Sequence, residues 1–262
     1  MYNINDGIED GVLHEYRGDE NCVTIPFGVR VIGESAFSGC RKLRTVTVPE
    51  SVVKIRENAF GDCIELEAVN IPKGLTVLSA MIFDGCISLK EIDIPESVRE
   101  IGEYAFSGCL NLLKAVIPEG TERIGAEAFC NCKSMTSVSV PDSAEFVDNS
   151  AFIGCDRLQR VFCSPKTAER FQAIPIACAL RGAVRLLKQG SDSVDLRGKW
   201  IAHIRENAVR SFEIMKDDAE FYGAALADRC LPLSLADTVI EFTEDLECRA
   251  MLLEYKRNAE AQ

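Results

Sequence analysis

Between residues 23 and 164, apolar positions return every 23 residues with no slip in register. Each period joins a V-x-x-I-G-x-x-A-F segment to a G-C-x-x-L-x-x-V-x-I-P segment. The aromatic column is Phe37, Phe60, Phe83, Phe106, Phe129 and Phe152, and the thiol column is Cys40, Cys63, Cys86, Cys109, Cys132 and Cys155. Three residues beyond each cysteine stands Leu43, Leu66, Leu89, Leu112, Met135 or Leu158. The closing pairs, such as Val46 with Val48 and Ala115 with Ile117, alternate with a period of two, so they share one face of a short strand. A second limb carries Ile32, Ile55, Leu78, Ile101, Ile124 and Val147.

The remaining columns punctuate the coil. Pro26, Pro49, Pro72, Pro95, Pro118 and Pro141 follow the strand and stop it, because proline has no N–H for the ladder. Gly39, Asp62, Gly85, Gly108, Asn131 and Gly154 precede the cysteines, and these residue types accept a left-handed backbone, so a tight turn is predicted there. One coil buries about seven apolar side chains, too few to order 23 residues alone. Stacking must supply the rest, at roughly 1.5–3 kcal/mol per fully buried large side chain. The pattern predicts an α/β solenoid, mostly short β-strands and turns, of six to seven coils over 23–164.

These residues resemble the BspA-like class of leucine-rich repeats, through the six-fold "IGxxAFxGCxxLxxVxIP" pattern. The segment "GVLHEYRGDENCVTIP" is similar to that family's N-terminal hairpin cap, with Leu13 and Tyr16 covering the first coil and the cap domain set at 1–22. The resemblance implies a protein that binds other macromolecules, in many members as a surface protein or adhesin.

After Cys163 the strand pattern gives way to helical spacing, and an all-α C-terminal domain is expected over 165–262. Ser164 is placed as an N-cap with Pro165 at the first helical position. Ile176, Leu180, Val184 and Leu187 mark a helix ending near Gly190, followed by the loop "GSDSVD". Trp200, Ile201, Ile204, Ala208, Phe212 and Met215 form the apolar face of one long helix over about 196–215. Phe221, Ala225 and Leu226 suggest another. The stretch from 233 to 256 reads as two helices broken near Thr243–Asp245, the first capped by Ser234 with Asp237 three residues on. The tail "RAMLLEYKRN" makes this end similar to ankyrin-like helical regions, without the T-P-L-H signature of ankyrin repeats.

Composition narrows function by exclusion. The net charge is -12, and 25 of the 41 acidic residues precede residue 165. That balance argues against a nucleic-acid partner, which needs clustered Lys and Arg. No apolar run reaches membrane-spanning length. Twelve cysteines and no recognisable leader in "MYNINDGIEDGVLHEY" suggest a cytoplasmic protein with free thiols, or a surface or secreted one if a leader was removed.

The thiol column sits between the Phe and Leu columns, where a small apolar side chain belongs. Equivalent Cα atoms near 5 Å apart would allow a disulfide, but side chains of stacked coils point in parallel. Zinc would need four converging ligands, and no His or acidic column accompanies the cysteines. Core is therefore the favoured reading, with no metal, no cofactor and no catalytic residue assigned. The motifs G-x-S-x-G, H-E-x-x-H and G-x-x-x-x-G-K-[ST] are missing, and the two histidines, His14 and His203, lie far apart in the chain.

What remains is surface recognition of another protein, non-enzymatic. Outward strand positions form the candidate face: Thr45 and Thr47, Ala68 and Asn70, Glu91 and Asp93, Lys114 and Val116, Ser137 and Ser139, and Arg160. The stripe is small and polar with an acidic centre, so a solvated sheet face is the competing reading. Phe146 and Phe162 replace the residues usual in their columns, and one or both are expected to touch the helices as an interdomain contact.

Overall fold

A computed structural model describes residues 3–174, 176–189, 194–215 and 218–260, and within these the side chains of 176–177, 185–189, 194–195, 209, 242 and 260 lie outside the description. Contacts divide the chain into two compact units. One runs to Leu158 and includes Phe171–Ala173, and the other holds Gln159–Arg170 and the residues from Ile174 onward.

The first unit is a β-solenoid opened by a hairpin. Its strands are β1 (Ile8–Glu9), β2 (Val12–Leu13), β3 (Cys22–Thr24), β4 (Val31–Ile32), β5 (Thr45–Thr47), β6 (Lys54–Ile55) and β7 (Ala68–Val69). They continue as β8 (Val77–Leu78), β9 (Glu100–Ile101), β10 (Lys114–Val116), β11 (Arg123–Ile124), β12 (Ser137–Ser139) and β13 (Phe146–Val147). β1 and β2 pair antiparallel; the later pairings are parallel, β2 with β4 at an offset of 19 residues (Val12 beside Val31) and the following ones, such as β3 with β5 and β4 with β6, in the 23-residue register. One strand row contains β3–β5–β7 and β10–β12, the other β2–β4–β6 and β8–β9–β11–β13. The predicted solenoid of strands and turns is what forms, with two local departures: Glu91–Asp93 does not make a strand, and β6 does not pair with β8.

The core is ordered by column. Phe37 through Phe129 are fully buried and stack ring on ring, with centroids 5.1–5.5 Å apart. Phe152 continues the pile at 5.6 Å. Tyr16 closes its other end against Phe37 at 5.1 Å, and Leu13 is fully buried beside the first coil, as the cap pattern predicts. Such ring pairs are worth about 0.5–1.5 kcal/mol beyond the area they bury.

The turn before each cysteine is left-handed, as expected: φ is +71° at Gly39, +55° at Asp62, +67° at Gly108 and +57° at Asn131. A second left-handed column was not legible in the sequence, at Ser35, Asn58, Met81, Tyr104 and Glu127, with φ of 52–56°. Each such non-glycine residue costs roughly 1–2 kcal/mol. The geometry aims backbone N–H groups at the next coil, so that Asn58 donates to the Ala80 carbonyl at 3.0 Å and Tyr104 to Ala126 at 2.9 Å.

The second unit opens with β14 (Arg160–Phe162), then α1 (Pro165–Arg170), α2 (Ile176–Gln189), α3 (Val194–Glu206), α4 (Ala208–Ile214), α5 (Ala219–Ala227), α6 (Ala236–Phe242) and α7 (Leu246–Glu260). β14 packs against α2, which also packs on α5, and α5 packs on α7. The Ser164 hydroxyl accepts from the Thr167 N–H at 3.2 Å, the predicted cap of α1. Trp200 is fully buried and donates its indole N–H to the Cys163 carbonyl at 2.7 Å. Phe212 meets Phe221 and Tyr222 edge to face at 5.2 and 4.9 Å.

Two helix expectations need correction. The single helix over 196–215 is two, α3 and α4, separated at Asn207. There the backbone leaves helical geometry, and the side-chain amide donates to the His203 carbonyl at 3.0 Å. Ser234 does not cap α6. It lies inside a 3-10 turn, Leu233–Leu235, and the N-cap is Leu235 with no side-chain hydrogen bond. The predicted break at Thr243–Asp245 is present, and Asp245 accepts from the Cys248 N–H at 2.8 Å to start α7. Ile176 and Leu187 fall among the side chains outside the description, as does loop 190–193.

Candidate interaction surface

The thiol column is built into the backbone network. Cys63, Cys86, Cys109 and Cys132 are fully buried, Cys155 is buried, and Cys40 at the first coil is half-buried. Each thiol from Cys63 on donates to a phenylalanine carbonyl of the coil before, as Cys63 to Phe37 at 3.0 Å and Cys109 to Phe83 at 3.2 Å. The same carbonyls accept the cysteine N–H of their own coil, as Phe37 does from Cys40 at 3.1 Å. The thiol therefore fills a small apolar volume and satisfies a second lone pair, which alanine could not do.

Burial pushes the Cys63 thiol up to about 12 and the Cys40 thiol to about 11. Cys132 is held up by its sulfur contact with Cys155 and by burial. A thiolate nucleophile needs the opposite shift, and in this column only Cys155 has it, through the same contact with Cys132. None of the twelve cysteines is in a disulfide. Among the described residues no group of three or more His, Cys, Asp or Glu side chains is placed to hold a metal. His203 faces Glu169 at 3.7 Å, and burial lowers its pKa.

The outward strand positions lie as follows. Thr47, Ala68, Asn70, Glu91, Asp93, Lys114 and Val116 are exposed, while Thr45, Ser137 and Ser139 are half-buried. Pairing sets Thr45 beside Ala68, Lys114 beside Ser137 and Val116 beside Ser139. Glu91 and Asp93 fall at the interruption of this row, where the Leu113 N–H still donates to the Lys90 carbonyl at 3.0 Å. Asn70 spends its amide on the coil before, accepting from the Val48 N–H at 2.8 Å and donating to the Val48 carbonyl at 2.7 Å. Val116, with 62% of its surface exposed, is the largest apolar group of the row. Arg160 is exposed at the start of β14 in the second unit.

Phe146, on β13, carries the Arg123 guanidinium over its ring at 4.3 Å. Phe162 is half-buried on β14, within the same compact unit as the helices. Among the described residues no helix is long and apolar enough to cross a membrane.

The family model for the BspA type leucine rich repeat region matches six copies, over residues 16–135 and 99–173, more than half of the chain. This chain belongs to the BspA-type leucine-rich repeat family. A leucine-rich repeat protein from Bacteroides ovatus is 38% identical with a TM-score of 0.53, over 58% of this chain and 41% of that one. The leucine rich repeat protein of T. pallidum is 27% identical with the same TM-score, over 68% of this chain and 87% of its own. The pneumococcal vaccine antigen PcpA, 18% identical over 62% of this chain and 41% of its own, shares the fold at a TM-score of 0.52. The chain thus spans less than half the length of the B. ovatus protein. No curated protein matches it. In this BspA-type chain the strand row is a regularly spaced surface, interrupted at Glu91–Asp93, carried on a stacked aromatic core.

Proposed function

We propose that this BspA-type protein is a non-enzymatic interaction scaffold that recognises another protein along its outward strand row. In this reading the cap is 1–22, the solenoid over 23–164 carries the recognition face, and the helical domain is 165–262. The observation behind it is the row itself. Thr47, Glu91, Asp93, Lys114 and Val116 are exposed on a face whose alternate residues, Val46, Ala115 and Val138, are buried. Rigid elements presenting side chains at fixed intervals lose little entropy on binding. The acidic centre at Glu91 and Asp93, with Lys114 one coil on, favours a partner with a basic patch.

Twelve cysteines with no disulfide among them support a reducing compartment, hence the cytoplasm. An adhesin at the cell surface or in the medium would have to keep the same thiols reduced under oxidising conditions, which favours the interior reading. Photo-crosslinking groups placed at Thr47 and at Val116 in the full chain test the proposal in source-cell extract. Capture of one protein from both positions, lost in Glu91→Lys with Asp93→Lys, is the expected result. Equal capture from a control position at Glu145, outside the row, would overturn it.

A further inference from the structure

The second strand row opens at one step. β4 pairs with β6 and β8 with β9, but among the described residues no backbone hydrogen bond joins β6 to β8. Elsewhere the residue after the strand donates its N–H one coil back: Gly33 to Leu13 at 2.7 Å, Arg56 to Ile32 at 2.9 Å, Gly102 to Leu78 and Gly125 to Ile101 at 2.8 Å. Ser79 departs from this pattern. Its hydroxyl donates to the Ile55 carbonyl at 2.5 Å, while its amide makes no bond to that carbonyl. Arg56 and Asp148 also carry a Cβ in this column and keep the amide bond, so a short side-chain donor is what sets Ser79 apart.

Two backbone donors are left over. The N–H groups of Thr76 and Ser79 have no hydrogen-bond partner among the described residues, although Val53, Arg99 and Glu122, which share the column of Thr76, donate to the coil before at 2.7–2.9 Å. Both flank a cleft of about 490 Å³, within the roughly 300–1,000 Å³ usual for ligand sites. Its walls include Val53 and Val77, 53% and 41% exposed. Val53 is apolar in a column otherwise filled by Arg30, Thr76, Arg99, Glu122 and Glu145. Lys54 and Arg56 also line the cleft, and neither makes an ion pair among the described residues. Glu34 and Glu57 stand on its flank.

Unspent N–H donors, two unpaired cations and an apolar wall together match one kind of ligand. We propose that this cleft binds the free C-terminal end of an extended peptide. The carboxylate lies on Lys54 and Arg56, backbone carbonyls of the peptide accept from Thr76 and Ser79, and its last apolar side chain rests between Val53 and Val77. The coils stay joined beside the cleft, where the Asn58 N–H donates to the Ala80 carbonyl at 3.0 Å and Phe60 to Ile82 at 3.0 Å. A whole strand therefore cannot insert, and a chain end can. Glu34 and Glu57 disfavour a second acidic residue upstream. The site lies on the other strand row, so it does not rest on the recognition face proposed above.

The experiment is a nitrogen-15 NMR titration of the full chain with the acetylated tripeptide Lys-Val-Val, bearing a free carboxylate, and with its C-terminal amide. Saturable shifts of the Thr76 and Ser79 amides with the acid are expected. The amide, and the acid with the folded Lys54→Gln, Arg56→Gln double variant, should each bind about tenfold more weakly. Equal binding of acid and amide, an undiminished double variant, or no movement of these amides at a few millimolar peptide would each overturn the proposal. A spectrum otherwise like that of the unmodified chain shows that the variant is folded.

Discussion

Phe106→Ala is the sharpest perturbation of the stacked core. Phe106 is fully buried, with Phe83 at 5.4 Å and 22° on one side and Phe129 at 5.1 Å and 9° on the other. Removing a buried phenylalanine ring costs about 3–5 kcal/mol through lost transfer energy and the cavity left behind. Neighbouring coils are tied by backbone ladders on both sides, so the cavity cannot collapse easily and the upper half of that range is expected. Phe152→Ala provides the internal comparison. Its ring is 8% exposed and stacks on Phe129 at 5.6 Å, so it should cost less, near 3 kcal/mol. Urea unfolding followed by far-ultraviolet circular dichroism gives both values. Because a solenoid is held by nearest-neighbour interfaces, a mid-array lesion should also reduce the denaturant slope as the two halves uncouple. A loss below about 1 kcal/mol for Phe106→Ala, or a larger loss for Phe152→Ala, would refute the continuous stack as the source of stability.

Two further outcomes follow from the same packing. The folded-state pKa of Cys63 is raised from 9.0 to about 12, so the unfolded chain loses this proton first as pH rises. The stabilisation is full below about pH 9 and is lost as pH climbs toward 12. The urea midpoint should fall as pH rises from about 9 toward 12, and fall less in Cys63→Ala; identical pH dependence in both would refute the assignment. Gly102→Ala should cost about 1–3 kcal/mol, because a Cβ there would lie 2.7 Å from the Ala80 nitrogen and 2.9 Å from the Leu78 oxygen. Hydrogen exchange at the residue 102 amide should accelerate, and an unchanged rate would show that the coils part without cost.

The solenoid was legible because its determinants repeat. A column of Phe, Cys or Leu every 23 residues has one physical solution, a coil that buries those groups against its neighbours. The proline stops and the left-handed positions at Gly39, Asp62 and Asn131 follow from residue chemistry alone. The helical half was less legible, since Asn207 breaks a continuous apolar stripe by competing locally for the His203 carbonyl. The outward row was readable from alternation, but not the diversion of Asn70 to the Val48 backbone.

By itself the sequence determined the repeat unit, the buried columns, the N-terminal cap and the change to helices after Cys163, because each rests on local residue type and spacing. Tertiary structure alone decided what depends on the meeting of residues 23 positions apart. It set Met81 and Tyr104 in left-handed geometry so that their N–H groups reach the next coil, at 2.8 Å to Glu103 and 2.9 Å to Ala126. It gave each core thiol a carbonyl to hold. At Ser79 a hydroxyl and not the amide donates to the Ile55 carbonyl, and a cleft stands where the period alone promised an unbroken ladder.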